Sequence, residues 1–209
     1  MARVIPAVVL AAGLSTRMGG RSKARLPLPG GGTFLSRIVS TFRAAGVDDV
    51  VVVVGHDGDA IMAAFAASAR PPRFVTNPDY RGGQWTSLVA GLDVVERPGV
   101  SAALVTLVDV PLVSSATVRA VVDRYRATHA SVVRPTSGTR HGHPLLLDRS
   151  LFDEIRKADP HLGAKPVVRA HASALGDFAV DDEGAFTDID TPEEYERVLG
   201  TWNARDARS

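Results

Sequence analysis

Residues 50–54 read Val-Val-Val-Val-Val, five β-branched side chains with no polar position between them. A strand with one wet face alternates apolar and polar residues. An unbroken run fits a strand covered on both faces, the situation inside a parallel sheet. Parallel neighbours need crossover segments, and those are usually helices. The run therefore predicts a layered α/β protein before any other residue is read. Two further runs have the same character, VIPAVVLAA at residues 4–12 and AALVTLVDV at 102–110. RFVTN at 73–77, SVVRPT at 131–136, HPLLLD at 143–148 and DFAVDD at 177–182 read as shorter strands.

Helical patterns fill the intervals. Over 33–46, Phe34, Leu35, Ile38, Val39 and Phe42 share one stripe, with Thr33 suited to cap the start and Gly46 the end. Helices are also expected over 60–69, 85–95, 114–129, 149–158 and, as a short segment, 161–171. The last helix has the clearest start: Thr191 caps, Pro192 fits the first turn and Glu194 completes a capping box. Tyr195, Val198, Leu199 and Trp202 then form its inner stripe, and residues 203–209 are expected to fray. The alternation predicts a doubly wound, mostly parallel sheet flanked by helices, in a single domain over residues 1–209. Ligands of such sheets sit at the carboxyl ends of the strands. Three polar clusters follow predicted strands there: the loop at Gly13, the segment from Asn77, and Asp109.

Composition narrows the chemistry. Lys and Arg total 24 against 23 Asp and Glu, so no basic excess points to a nucleic-acid partner. There is no cysteine, which excludes disulfides, thiolate nucleophiles and cysteine metal sites. No apolar run approaches membrane-spanning length. The opening run is interrupted by Pro6 and reads as a buried strand of a cytoplasmic protein, with a secretory signal as the alternative.

The loop LAAGLSTRMGGRSK at 10–23 concentrates small residues and cations directly after a strand. It lacks the Gly-Lys-Ser/Thr ending of a nucleotide-hydrolase loop and the Gly-x-Gly-x-x-Gly of a dinucleotide site. Anion chemistry remains. Gly13 permits a turn that aims successive N–H groups at a phosphate, Arg17 offers a forked contact and Lys23 a point charge. The bland alternative is a surface loop with two solvated cations.

VVLAAGLSTRMG followed by KARLPL resembles the signature of the molybdopterin nucleotidyltransferases, most closely the molybdenum cofactor cytidylyltransferase branch. NPDYRGGQWTSLVAGL, LVDVPLV, GHPLLL and DIDTPEEY are similar to that branch's further blocks, in its order. The chain departs at Gly20-Arg21-Ser22, three residues where the family usually has two before the lysine; Arg21 or Arg25 is then able to share the role of Lys23. It departs again at Lys165, where relatives often carry arginine.

The resemblance implies Mg²⁺-dependent transfer of a nucleoside monophosphate to a phosphorylated, molybdopterin-type acceptor, with a molybdenum hydroxylase as eventual recipient of the cofactor. It assigns Leu10, Ala11, Ala12, Gly13, Arg17, Lys23, Asn77, Gly83 and Ser87 to the nucleotide. Arg17, Lys23 and Asp109 take catalytic roles, and Asp109 and Asp190 are the metal ligands. Asp188 is a near rival of Asp190, because two residues along an extended segment point the same way. His143 and Arg140 are expected near the acceptor. The pair His141 and His143 lacks a third ligand of obvious spacing, so it is a poor transition-metal site. Ala12, in place of a second glycine, leans toward CTP over GTP. A sugar-phosphate nucleotidyltransferase and a non-catalytic cofactor carrier are the other readings.

Overall fold

The structure, a computed structural model, describes residues 4–206, with side chains through residue 200. In chain order it contains β1 (Ala7–Ala11), α1 (Phe34–Ala44), β2 (Val50–Val54), α2 (Gly58–Ala63), β3 (Arg73–Thr76), α3 (Gln84–Val95) and β4 (Ala102–Leu107). Then follow α4 (Ser115–Thr128), β5 (Val132–Ser137), β6 (Arg140–His141), β7 (Leu145–Asp148), α5 (Phe152–Lys157), α6 (Lys165–His171), β8 (Asp177–Ala179) and α7 (Pro192–Asp206).

The strands lie in the order β3-β2-β1-β4-β7-β5-β6, with β8 on β5. The pairs β1–β2, β1–β4, β2–β3 and β5–β8 are parallel, whereas β7 runs antiparallel to both β4 and β5. The valine run sits one strand in from the edge, with Val50–Val54 all buried, as its lack of alternation requires. Alternate side chains feed opposite layers. Ala7, Val9 and Ala11 pack with α1 and α4 through Leu35, Ile38, Val118 and Val121. Val8, Leu10 and Ala12 pack with α3 and α5 through Leu88, Leu92, Phe152 and Ile155. At Gly91 a Cβ would meet Val8 Cγ1 at 2.4 Å, so α3 lies closer to β1 than any side chain allows. That approach brings the first turn of α3 to the carboxyl end of β1.

A third apolar cluster lies beside the sheet. Met18, Leu26, Leu28 and Phe34 meet Ile189 and Tyr195 there. It joins the loop after β1 to the start of α7, two segments distant in sequence but adjacent in space. Tyr195 Oη donates to the Pro27 carbonyl at 2.7 Å and fastens the same junction.

Several expectations shift. The helix expected over 60–69 is α2, which ends at Ala63. Beyond it the N–H groups of Phe65, Ala66 and Ser68 bond three residues back, so the chain tightens into successive turns. Only Ile61 of α2 is buried, which leaves little packing to extend a helix. The strand expected over 102–110 stops at Leu107, which puts Asp109 in the turn beyond it. The strand expected over 177–182 stops at Ala179, and Asp182 instead accepts from Ser114 N at 2.9 Å and from Thr117 Oγ1 at 2.5 Å at the start of α4. The α7 backbone stays helical to Asp206, over part of the expected tail; residues 207–209 and the Trp202 side chain lie outside what is described. Thr33 does cap α1, in a capping box with Ser36.

Candidate active site

The loop after β1 is built as two single 3₁₀ turns, Thr16–Met18 and Lys23–Arg25. Met18 is buried in the third apolar cluster and anchors the first turn. Ser15 enters it at φ 50°, a left-handed conformation that non-glycine residues rarely hold. Its carbonyl accepts from Met18 N at 2.9 Å and Gly20 N at 3.3 Å, and its hydroxyl accepts from Lys23 N at 3.3 Å. The left-handed residue of this loop is Ser15 and not Gly13: Gly13 has no left-handed φ, and a Cβ there would meet only open space. Gly13 matters for the room it leaves, since it lines the cavity at the sheet's carboxyl edge.

That cavity holds about 370 Å³. Lys23 is 9% exposed, and its ammonium is shared between two carboxylates. Nζ lies 3.0 Å from Asp109 Oδ2 and also donates to Asp190 Oδ1. Arg17, whose side chain is 69% exposed, pairs with Asp190 Oδ2 at 2.7 Å. Arg17, Lys23, Asp109 and Asp190, drawn from near the start, the middle and near the end of the sequence, therefore form one cluster. Arg21 and Arg25 do not share the position of Lys23. Arg21 sits over the Tyr195 ring, 5.9 Å from its centroid, and Arg25 pairs with Asp57 at 3.3 Å.

Asp190 is held from three sides. Ile189, fully buried, donates its N–H to the Asp109 carbonyl at 2.8 Å. Glu194 accepts from the N–H groups of Asp190 at 2.8 Å and Thr191 at 3.0 Å, while Thr191 Oγ1 accepts from Glu194 N at 3.3 Å. The predicted capping box is present, and it grips the metal-candidate residue as well as the helix. Burial pushes the Asp190 carboxyl up, but hydrogen bonds and charge from Lys23 and Arg17 outweigh it and hold the group below the usual carboxylate range. Asp188 behaves oppositely. Burial and the neighbouring Asp109 charge raise it, against His143 and Lys23. The cations thus converge on Asp190 rather than on Asp188.

Among the described residues, no three His, Asp or Glu side chains converge as a metal cluster. Asp109 Oδ1 is nevertheless buried without a hydrogen-bond partner. A buried anionic oxygen in that state is costly unless a cation meets it. Two carboxylates that already gather an ammonium fit a hard divalent ion that takes its remaining ligands from water and phosphate.

The opposite wall of the cavity comes from residues after β3. Tyr80, Arg81, Gly83, Gln84 and Ser87 line it, facing Leu10, Ala11 and Ala12. Gly83 holds φ 99° at the start of α3, a conformation open to glycine. Asn77 lies behind this wall and does not line the cavity. Its amide donates to Thr86 Oγ1 at 2.9 Å and Ser87 Oγ at 3.0 Å, and its carbonyl oxygen accepts from Asp79 N at 2.9 Å. The structure makes it a brace for Ser87. Tyr80, Arg81 and Gln84 were not singled out from sequence, although they fall inside the segment that was.

A second cavity of about 970 Å³ adjoins the first and shares Leu10, Arg81, Gly83, Gln84 and Leu107 with it. Its walls combine Trp85, Leu88, Leu145 and Val168 with Arg134, His143, Lys165 and Arg169. Trp85 is fixed by donation to the Ile155 carbonyl at 2.8 Å. Arg134 is held by Asp177 in a two-pronged pair at 2.9 and 2.7 Å. At Gly142 a Cβ would strike the Ala185 carbonyl at 2.6 Å, and this close contact seats His143, whose N–H bonds that carbonyl at 2.8 Å. Burial pushes the His143 imidazole below its ordinary pKa, against a hydrogen bond to the Val105 backbone and the charges of Asp188 and Asp109. Arg140 lines neither cavity. It pairs with Glu183 at 2.5 Å and covers the Phe186 ring, because the short strand β6 carries it outward. Arg134, on the same hairpin and in the same RPTSGTRHGHPLL segment that sequence places beside the site, lines the second cavity.

Residues 7–175 match the MobA-like NTP transferase domain. The chain belongs to that family. Within it, the nicotine blue oxidoreductase of Paenarthrobacter nicotinovorans is 30% identical over 202 residues, covering 93% of this chain and 96% of the relative. The molybdenum cofactor guanylyltransferase of Rhizobium meliloti is 30% identical, covering 92% and 89%. Rv0371c from Mycobacterium tuberculosis H37Rv superposes with a TM-score of 0.78 at 28% identity, covering 94% of this chain and 98% of that one. A second structure of Rv0371c, a complex with manganese, gives 0.76 over 96% and 100% of the two chains. None of the described helices is long and apolar enough to cross a membrane.

Proposed function

We propose that this nucleotidyltransferase moves CMP from CTP to the phosphate of a molybdopterin-type acceptor, releasing pyrophosphate in a Mg²⁺-dependent reaction. The observation that carries the reading is the single ammonium of Lys23 held between Asp109 and Asp190 at the edge of the cavity. A triphosphate needs cations and a metal at one place, and these residues gather there.

The chemistry follows from the charges. Attack on the α-phosphorus spreads negative charge over the non-bridging oxygens and the leaving pyrophosphate, and fixed positive charge lowers that barrier. Lys23, buried and oriented by two acids, suits the α- and β-phosphates. Arg17, exposed and within reach of an incoming anion, suits the leaving group. Asp109 and Asp190 would hold the divalent ion, which supplies charge neutralisation across donor and acceptor oxygens. No strong general base is needed, since an acceptor phosphomonoester with a second pKa of about 6 is already ionised near neutrality. The acceptor enters the larger cavity, where Trp85 and Leu145 suit a planar ring and Arg134, Lys165 and Arg169 suit its anionic part. His143 is neutral there and orients the ring without taking a proton.

CTP is favoured over GTP because Ala12 and Tyr80 narrow the base wall. One methyl group near a base is worth about 1–3 kcal/mol. The guanylyltransferase relative makes GTP the rival donor, and the relative named as an oxidoreductase makes hydride transfer the rival chemistry. One assay separates them: protein, Mg²⁺ and reduced molybdopterin with each NTP, reading pyrophosphate, beside a parallel measurement of NADH oxidation. Pyrophosphate with CTP supports the reading. Release with GTP alone, release only with a sugar-phosphate acceptor, or NADH oxidation without release replaces it with the corresponding rival.

A further inference from the structure

The loop after β2 touches the cavity from behind. Gly55 does not line it, yet a Cβ there would meet Tyr80 Cβ at 2.6 Å, Tyr80 Cγ at 2.7 Å and Ala12 Cβ at 3.0 Å. Tyr80 and Ala12 both line the cavity. Position 55 therefore lies against two lining residues, one just after β1 and one in the turn before α3, and its missing side chain is what lets both stand so close to the loop after β2. The same loop is tied down twice more. His56 N donates to the Ala12 carbonyl at 3.3 Å, and Asp57, held in the left-handed region at φ 61°, pairs with Arg25.

We propose that Gly55 is a positioning residue for base selection: by admitting Tyr80 and Ala12 close against its backbone it sets where these two lining residues stand relative to a nucleobase. The proposal rests on the reading of this cavity as a nucleoside triphosphate site, but it does not depend on the acceptor or on turnover. A methyl group at 55 cannot be absorbed, because its nearest neighbour is the stiff Cβ–Cγ root of an aromatic side chain. Rotation about χ1 leaves the Tyr80 Cβ in place, so the backbone that carries it must shift, and the wall changes shape while Lys23, Asp109 and Asp190 stay in place.

The test is equilibrium binding of CTP and of GTP, with Mg²⁺ and without acceptor, to the wild type, Gly55→Ala, Tyr80→Ala, Tyr80→Gly and the Gly55→Ala/Tyr80→Gly double variant. Gly55→Ala should change the ratio of the two dissociation constants by about tenfold, the size of effect a methylene has in a fitted pocket. In the Tyr80→Gly background the same substitution should change the ratio little, because the Cβ and Cγ that transmit it are gone. An unchanged ratio in Gly55→Ala overturns the proposal, as does an equal change in both backgrounds or a wild type that binds neither nucleotide. If Gly55→Ala does not fold, Tyr80→Ala alone decides: it must shift the CTP-to-GTP ratio, and an unaltered ratio overturns the proposal. CTP binding without pyrophosphate release in the transfer assay would count against the transferase reading and leave this inference standing.

Discussion

Glu194 holds Asp190 through its backbone: one carboxylate oxygen accepts from the Asp190 N–H at 2.8 Å while the Asp190 side chain reaches Lys23 and Arg17. A helix cap and a candidate metal ligand are thus one structural unit. Glu194→Ala should lower stability by about 0.5–2 kcal/mol, the range for a lost cap. It should also raise the Mg²⁺ concentration needed for half-maximal activity, because Asp190 loses its support. Glu194→Gln, which can still accept both bonds, should restore most of each. Chemical denaturation and a Mg²⁺ titration measure the two effects.

Asp109→Asn keeps the shape of the side chain and removes its charge. Turnover should fall by about 10²–10³-fold, as when a transition-state charge partner is lost. The melting temperature should stay near the wild-type value. Near-normal activity in this variant removes Asp109 from the metal site.

Lys23→Met leaves Asp109 and Asp190 facing each other without their shared cation. A divalent ion then replaces the ammonium in the folded state alone, and ligands that bind only the folded state stabilise it. Mg²⁺ should therefore raise the melting temperature of Lys23→Met more than that of the wild type. Equal shifts in the two proteins contradict a shared cation position.

His143 gives a pH signature. Its folded pKa lies below the ordinary value, so the unfolded chain takes up the proton more readily. Stability from this group is complete above about 6.5 and is lost as the pH falls below it, toward the folded pKa. Melting temperatures between pH 7.5 and pH 5 should fall less steeply in His143→Gln than in the wild type. Parallel curves would exclude His143 as the source of the slope.

The two arginines of the β5–β6 hairpin should separate kinetically. Arg134→Ala should raise the KM for the acceptor while leaving the KM for the nucleotide within about twofold, as expected for lost uniform binding. Arg140→Ala, pointing away from both cavities, should change neither constant. The reverse outcome would return the acceptor role to Arg140.

The strand–helix alternation was legible because it rests on local rules. Val50–Val54 cannot tolerate a wet face, Thr33 and Thr191 carry their own capping partners, and the stripe from Phe34 to Phe42 follows the helical period. Each of these signals lies within a dozen residues. The family resemblance likewise sits in short blocks, and it led to Arg17, Lys23, Asp109 and Asp190 together. Elements with weak local reasons were misread. The helix after Gly58 is shorter than its alanines suggested, and β6 is two exposed residues that carry no apolar pattern.

The tertiary structure alone decided the rest, because it depends on contacts between distant segments. The insertion of antiparallel β7 between β4 and β5 follows from packing, not from any pattern in residues 143–148. Asp188 and Asp190 are equivalent along an extended segment, and only in the fold does Asp190, beside the capping box of α7, meet Lys23 and Arg17. Arg134 faces the second cavity and Arg140 leaves it because a hairpin of alternating faces cannot send both the same way. By itself the chain's order of residues determined a parallel α/β core and the chemical groups available to it. Which of those groups meet was decided by folding, since a charge finds its partner through three-dimensional packing rather than through its place in the sequence.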